Sequence, residues 1–139
     1  MLLTGDIEAP QERALLERAG KALKSDVLLA PHHGSGTSST LAFLQAVKPS
    51  LALFQVGYRN RYRHPKAEVW ERYRNLGIRS LRTDQSGAVR ITVDKNLRVE
   101  QYRCERARYW QSERCLDFSQ ATGASMDSGA VRDLVSLLK

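Results

Sequence analysis

Three short segments hold most of the side chains in this sequence that could do chemistry: Thr4-Gly5-Asp6, Pro31-His32-His33-Gly34-Ser35 and Asn60-Arg61-Tyr62-Arg63-His64-Pro65. All three histidines of the chain fall in the second and third of them. A carboxylate at Asp6 and imidazoles at His32 and His33 are donor types that borderline divalent metals such as zinc or manganese prefer. Asp6 could bridge two ions through its two oxygens, while a neutral imidazole supplies a nitrogen to one of them. Each residue taken singly has an ordinary alternative. Asp6 would serve as a turn residue or helix cap, His32 and His33 as a loop pair, and His64 as a surface residue ahead of a proline. Their order along the chain, each group following a candidate strand, favours a shared site.

The third segment extends back through Tyr58 and Arg59, so that arginines alternate with tyrosines beside His64. Guanidinium groups at Arg59, Arg61 and Arg63 can pair phosphate oxygens, and a ring such as Tyr62 can stack on a base, a combination suited to single-stranded nucleic acid. A solvated basic loop is the alternative. Trp70 and Tyr73 read instead as core residues of their helix.

The elements that must position these residues follow from hydrophobic periodicity. Met1 to Asp6 reads as a buried strand closed by a turn, and residues 9 to 23 as an amphipathic helix with Pro10 in its first turn and Leu15, Leu16, Ala19 and Leu23 at helical spacing. Asp26 to Ala30 is a second buried strand stopped by Pro31. Ser39 or Thr40 can cap a helix running to Val47, which Lys48-Pro49 ends. Leu51 to Val56 is a third strand, Pro65 to Leu76 a helix, and Arg79 to Thr83 a fourth strand. After the Ser86-Gly87 turn, Val89 to Val93 alternates as a half-buried strand that Leu97 to Tyr102 can pair with. Alternating strands and helices up to about residue 83 predict an α/β layer architecture in which a mixed sheet carries packed helices and β-meander pairing takes over near the end, with the three chemical segments at the carboxyl ends of strands, the usual ligand position in such sheets.

Beyond Tyr102 the pattern weakens. Arg106 to Trp110 could form a helical turn, Ser119 to Ser128 is rich in small polar residues and is expected to be mobile, and Val131 to Lys139 could form a terminal helix. A length of 139 residues suits one domain with its own core, here residues 1–110, followed by a tail over 111–139. No apolar run approaches the ~18 residues that span a bilayer and no signal core is present, so a soluble chain without a targeting signal is expected. A net charge of +7 is compatible with a polyanionic partner. Cys104 and Cys115 are too far apart for a CxxC motif and read as two unrelated thiols; the alternative, a disulfide between them, would need an oxidising compartment.

Four blocks carry a resemblance: LLTGDIE, DVLLAPHHGSGTSS, FLQAVKPSLALFQVGYRNRYRHP and LRTDQSGAVRI. In this order they resemble the second half of the metallo-β-lactamase-like domain at the C-terminus of ComEC-type competence proteins, over about residues 1 to 110 and including Arg108-Tyr109-Trp110. The resemblance implies part of an αββα layered fold and a two-metal hydrolase, acting as a phosphodiesterase or nuclease on DNA during competence-related uptake. It passes the role of metal bridge to Asp6 and of metal ligand to His32 or His33, without choosing between the two histidines, and places His64 near the site as a substrate or transition-state contact. It further implies a domain of an inner-membrane protein, on the extracytoplasmic side and next to its membrane channel portion.

The sequence also departs from that family. Such hydrolases take most of their ligands from an upstream HxHxDH motif, which is absent here. The expectation is therefore half a site: two divalent ions, zinc or manganese, in the intact domain, weak or no binding in this chain, and no hydrolysis by it alone. The rival reading is a noncatalytic module of the same fold that binds nucleic acid or protein. A small-molecule hydrolase of the same superfamily is a third reading, which the basic loop disfavours.

Overall fold

A computed structural model describes residues 1–94 and 97–106. The expected tail over 111–139, including Ser119 to Ser128 and the terminal helix, lies outside the described residues, as do Arg108-Tyr109-Trp110.

Helix α1 spans Ala9–Ala19, with Pro10 at its start, and gives way at Gly20 (φ 46°) to a tighter turn over Gly20–Leu23. Strand β1 is Val27–Leu29, α2 is Leu41–Val47, β2 is Leu51–Phe54, α3 is Ala67–Asn75 and β3 is Arg79–Arg82. Thr40 caps α2 by accepting from the Phe43 amide, and Lys48 ends it in the left-handed conformation. A single helical turn, α4 (Thr83–Ser86), leads into the hairpin of β4 (Val89–Val93) and β5 (Leu97–Gln101), and α5 (Tyr102–Glu105) follows.

The strands are mixed in direction, as expected, and divide into two sheets. β1, β2 and β3 are parallel in that order, whereas β4 and β5 pair only with each other, in an antiparallel sheet of their own. The reason is packing. Alternate side chains of a strand face opposite ways: Leu28, Ala52 and Phe54 point into a core shared with Phe43, Leu44, Val47, Val69 and Tyr73 of the helices. Val27, Leu51, Leu53 and Leu81 form a second core against Val89, Ile91, Leu97 and Val99 of the hairpin. The hairpin therefore covers the parallel sheet as a layer and does not extend it, and strands buried on both faces read as continuous apolar runs.

The opening segment is also corrected. It is not a buried strand: only Leu2 pairs with Leu28, in parallel sense, while Met1 and Leu3 are exposed. Leu2 donates to Val27 O and accepts from Leu29 N, so the segment lies along the β1 edge and its other residues have no second layer over them. Among the described residues no helix is long and apolar enough to cross a membrane. Cys104 is disulfide-bonded, against the expectation of an unrelated thiol, and its partner lies outside the described residues.

Candidate functional site

Because residues 1–4, β1, β2 and β3 all run the same way, their carboxyl ends open on one edge of the sheet. Gly5-Asp6 follows the first, Pro31 to Ser35 follows β1, the loop from Gly57 to Pro65 follows β2, and Thr83 follows β3. Thr83 Oγ1 accepts from Val56 N and donates to Val56 O, both at 2.8 Å, which ties the last two ends together.

The turn after β1 is the most constrained part of this edge. His32 (φ 46°, ψ 42°) and His33 (φ 56°, ψ 16°) are successive residues in the left-handed region, a conformation that costs of order 1–3 kcal/mol per residue unless the surroundings impose it. Here they do. His32 N donates to Gly5 O at 3.0 Å, Ser35 N to His32 O at 2.9 Å, Lys66 N to Gly34 O at 2.9 Å, and the buried Ser38 hydroxyl to Pro31 O at 2.8 Å. Gly34 (φ 84°) is required both by its backbone and by space, since a Cβ there would meet Pro65 Cβ at 2.6 Å and Phe54 Cε1 at 2.8 Å.

The structure gathers Asp6, His32, His33, His64 and Tyr62 as expected of a site. His33 Nε2 lies 3.3 Å from Asp6 Oδ1, with Asp6 67% exposed and thus open to a ligand. The rings of His32 and His64 pack edge to face at 6.1 Å, those of His32 and His33 lie 6.4 Å apart, and Tyr62 is 5.8 Å from His64. Burial, then the Lys66 ammonium, then His32 and His33 hold the His64 imidazole below its ordinary pKa, partly offset by its hydrogen bond with the His32 backbone.

Two residues that the sequence did not single out complete this picture. Glu8 Oε1 is 3.0 Å from His32 Nδ1, although the approach is too oblique for a well-formed hydrogen bond, and the same oxygen accepts from Thr37 Oγ1 at 2.9 Å. Asn60 clamps His64, accepting from its amide at 2.7 Å and donating to its carbonyl at 2.9 Å. The four-residue separation of Asn60 and His64 is longer than the two-residue reach of an Asx turn, so local spacing gave no signal of the clamp. Glu8 and His32 are too far apart in sequence for any spacing rule to connect them.

The arginine and tyrosine loop has another character. Arg59, Arg61 and Arg63 are exposed and make no ion pair with a carboxylate among the described residues. Arg59 lies over the Tyr58 ring at 5.2 Å and Arg61 over Tyr62 at 4.8 Å, with Arg61 Nη2 donating to the Tyr62 hydroxyl at 2.6 Å. Cationic groups are thus presented in water beside two exposed rings.

The donor chemistry at Asp6, His32 and His33 suits a divalent metal, and a carboxylate beside the far nitrogen is the usual environment of a ligating histidine. The number of donors does not. Among the described residues no group of three histidine, cysteine, aspartate or glutamate side chains could hold an ion. These residues alone do not make a metal centre.

The chain is 40% identical over 114 residues to "Competence protein ComA" of Neisseria gonorrhoeae, covering 81% of this chain and 16% of that protein. It is 39% identical over 88 residues to "ComE operon protein 3" of Bacillus subtilis, covering 63% of this chain and 11% of that protein. The chain belongs to the ComEC-type competence proteins. "Recombination protein 2" of Haemophilus influenzae is 36% identical over 104 residues, covering 74% of this chain and 13% of that protein. The chain therefore spans only about an eighth of the length of the curated relatives it matches. No protein-family model matches it, and no solved structure does.

Proposed function

We propose that the chain is the second half of a metallo-β-lactamase-type αββα hydrolase domain that acts on the DNA backbone during competence-related uptake. The observation that carries this reading is the convergence of Asp6, His32, His33 and His64 on one sheet edge, with the two adjacent histidines held left-handed and with arginines nearby that make no ion pair among the described residues. The competence names of its relatives support the biological setting.

Phosphodiester hydrolysis by such a domain would need two divalent ions, zinc or manganese, as Lewis acids in the complete domain, with most of their donors coming from outside this chain. Asp6 and His32 or His33 are the donors this half would offer, with His33 in contact with Asp6. Arg59, Arg61 and Arg63 would hold phosphates of single-stranded DNA, Tyr62 would stack on a base, and His64, held neutral by burial and by Lys66, would contact the substrate. The reading places the domain on the extracytoplasmic side, beside the channel portion of the parent protein.

The test is cleavage of DNA or bis-p-nitrophenyl phosphate with added manganese, comparing this chain, the complete protein and its Asp6→Ala variant. The chain alone should hydrolyse nothing, the complete protein should cleave, and Asp6→Ala should abolish cleavage. A folded, metal-loaded complete protein that cleaves neither substrate would sink the hydrolase reading. It would leave a noncatalytic module of the same fold that binds nucleic acid or protein.

A further inference from the structure

Three tyrosine rings stand exposed among the described residues, Tyr58, Tyr62 and Tyr102, and each has an arginine over it: Arg59 at 5.2 Å, Arg61 at 4.8 Å and Arg106 at 5.2 Å. Two of these pairs belong to the loop after β2. The third belongs to α5 and has no part in the site or the function described above. Tyr102 is 52% exposed, and Arg106, also exposed, makes no ion pair among the described residues. A guanidinium on one face of a ring leaves the opposite face open to a second planar group.

The fold brings this third pair to the same sheet edge as the other two. β2 and β3 are neighbours in parallel register, so their carboxyl ends lie about 5 Å apart. Thr83 Oγ1, at the end of β3, bonds both backbone groups of Val56, and Tyr58 is two residues further on, within about 7 Å of chain. Thr83 also opens α4, and α5 is bound to α4. Arg103 Nη1 donates to Asp84 O and, at 3.2 Å, to Gln85 O; Ser86 Oγ donates to Gln101 Oε1 at 2.9 Å, and Tyr102 N to Ala88 O at 2.9 Å. Arg103 is thus engaged in seating the turn, while Tyr102 and Arg106 stay in solvent. Glu105 is the one exposed carboxylate of this turn and forms no ion pair with Arg106. We propose that Tyr102 and Arg106 continue the Tyr58–Arg63 loop as one track for an unpaired nucleic-acid strand across the ends of β2 and β3, Tyr102 stacking on a base and Arg106 pairing a backbone phosphate. This role rests on the DNA-binding reading above and uses none of its hydrolytic chemistry. Rings interleaved with cations suit an unpaired strand, because every base has a π-face and every nucleotide a phosphate.

Fluorescence anisotropy of a labelled oligothymidylate of ~12 nucleotides, titrated with the 139-residue chain, reads this track. Reductant is left out so that the Cys104 disulfide stays closed. Tyr102→Ala should weaken binding about 5- to 150-fold, the usual effect of removing one stacking ring, and leave the salt dependence alone, while Tyr102→Phe should bind as the native chain does. Arg106→Ala should lower the slope of log affinity against log salt by ~0.7. A duplex of the same length offers no unpaired base, so Tyr102→Ala should not change its affinity. Calorimetric titration should give one strand per chain. If Tyr102→Ala and Arg106→Ala, with native unfolding midpoints, bind the strand as the native chain does while Arg61→Ala is weakened, the extension to α5 is overturned and the loop keeps its role. Equal loss on strand and duplex overturns stacking by Tyr102, and two strands per chain overturn the single track. A native chain without salt-dependent affinity for the strand defeats the DNA-binding reading itself, and the extension with it.

Discussion

The two loops that form the candidate site differ in how they are held. The Pro31 to Ser35 turn is fixed from below by Gly5, Phe54, Pro65 and Ser38; its two histidines are left-handed, as Arg59 and Arg63 of the other loop are, so the loops differ in what packs against them and not in their backbone angles. The Tyr58 to Arg63 loop rests mainly on Asn60, and its charged and aromatic side chains contact one another and solvent. The first has the preorganisation that directional chemistry needs. The second has the adaptability that suits a sequence-independent phosphate chain, where charge and stacking matter more than fixed geometry.

The sharpest way to break this contrast is a methyl group. Gly34→Ala should destabilise the chain by roughly 2–5 kcal/mol in urea unfolding, combining left-handed strain with a clash against Pro65 and Phe54. Gly57→Ala, at the start of the other loop with nothing within 4 Å of the added carbon, should stay within about 0.5 kcal/mol. Similar losses at both glycines would mean the two loops are equally constrained.

Asn60→Ala removes the reciprocal pair of hydrogen bonds to His64 and should cost about 1–2 kcal/mol. Backbone order parameters should fall between Tyr58 and His64 and stay rigid at His32 and His33. Loosening of the histidine turn as well would show that the loops are one unit.

For the arginines the expected effect is on salt dependence. Each of Arg59→Ala, Arg61→Ala and Arg63→Ala should lower the slope of log affinity for single-stranded DNA against log salt by ~0.7, whereas His33→Ala should leave the slope alone. A triple variant that binds as the native chain does, at every salt concentration, would remove the phosphate role from this loop.

The smallest effect concerns acid. His64 has a folded pKa below its unfolded value, so between the two the unfolded chain binds more protons and stability rises with pH. The contribution of the neutral imidazole is present above about pH 6.5 and is lost as pH falls toward the folded pKa. His64→Gln should flatten the stability profile in that window, and an unchanged profile would show that burial at this loop is not sustained in solution.

The sequence alone determined the α/β alternation, the positions of β1, β2, α2 and α3, the end of α2 at Lys48, and the three segments that hold the candidate site, whereas it ran the first helix on to residue 23, past the break at Gly20. These are legible because hydrophobic periodicity, proline and glycine act within a few residues. It also carried the resemblance that relatives support, since the four quoted blocks are local runs. The tertiary structure alone decided that the hairpin covers the parallel sheet instead of joining it, because the apolar face of β4 and β5 reads the same for either partner. The full burial of Glu12 on a charged-looking helix was equally hidden: its carboxylate accepts from Ser39 N and Thr40 N at the start of α2, donors contributed by a distant segment. Glu8 meeting His32 and Asp6 meeting His33 follow from parallel strands delivering their carboxyl ends to one edge. Such contacts between residues 24 to 27 positions apart depend on strand order and register, which residue spacing does not encode.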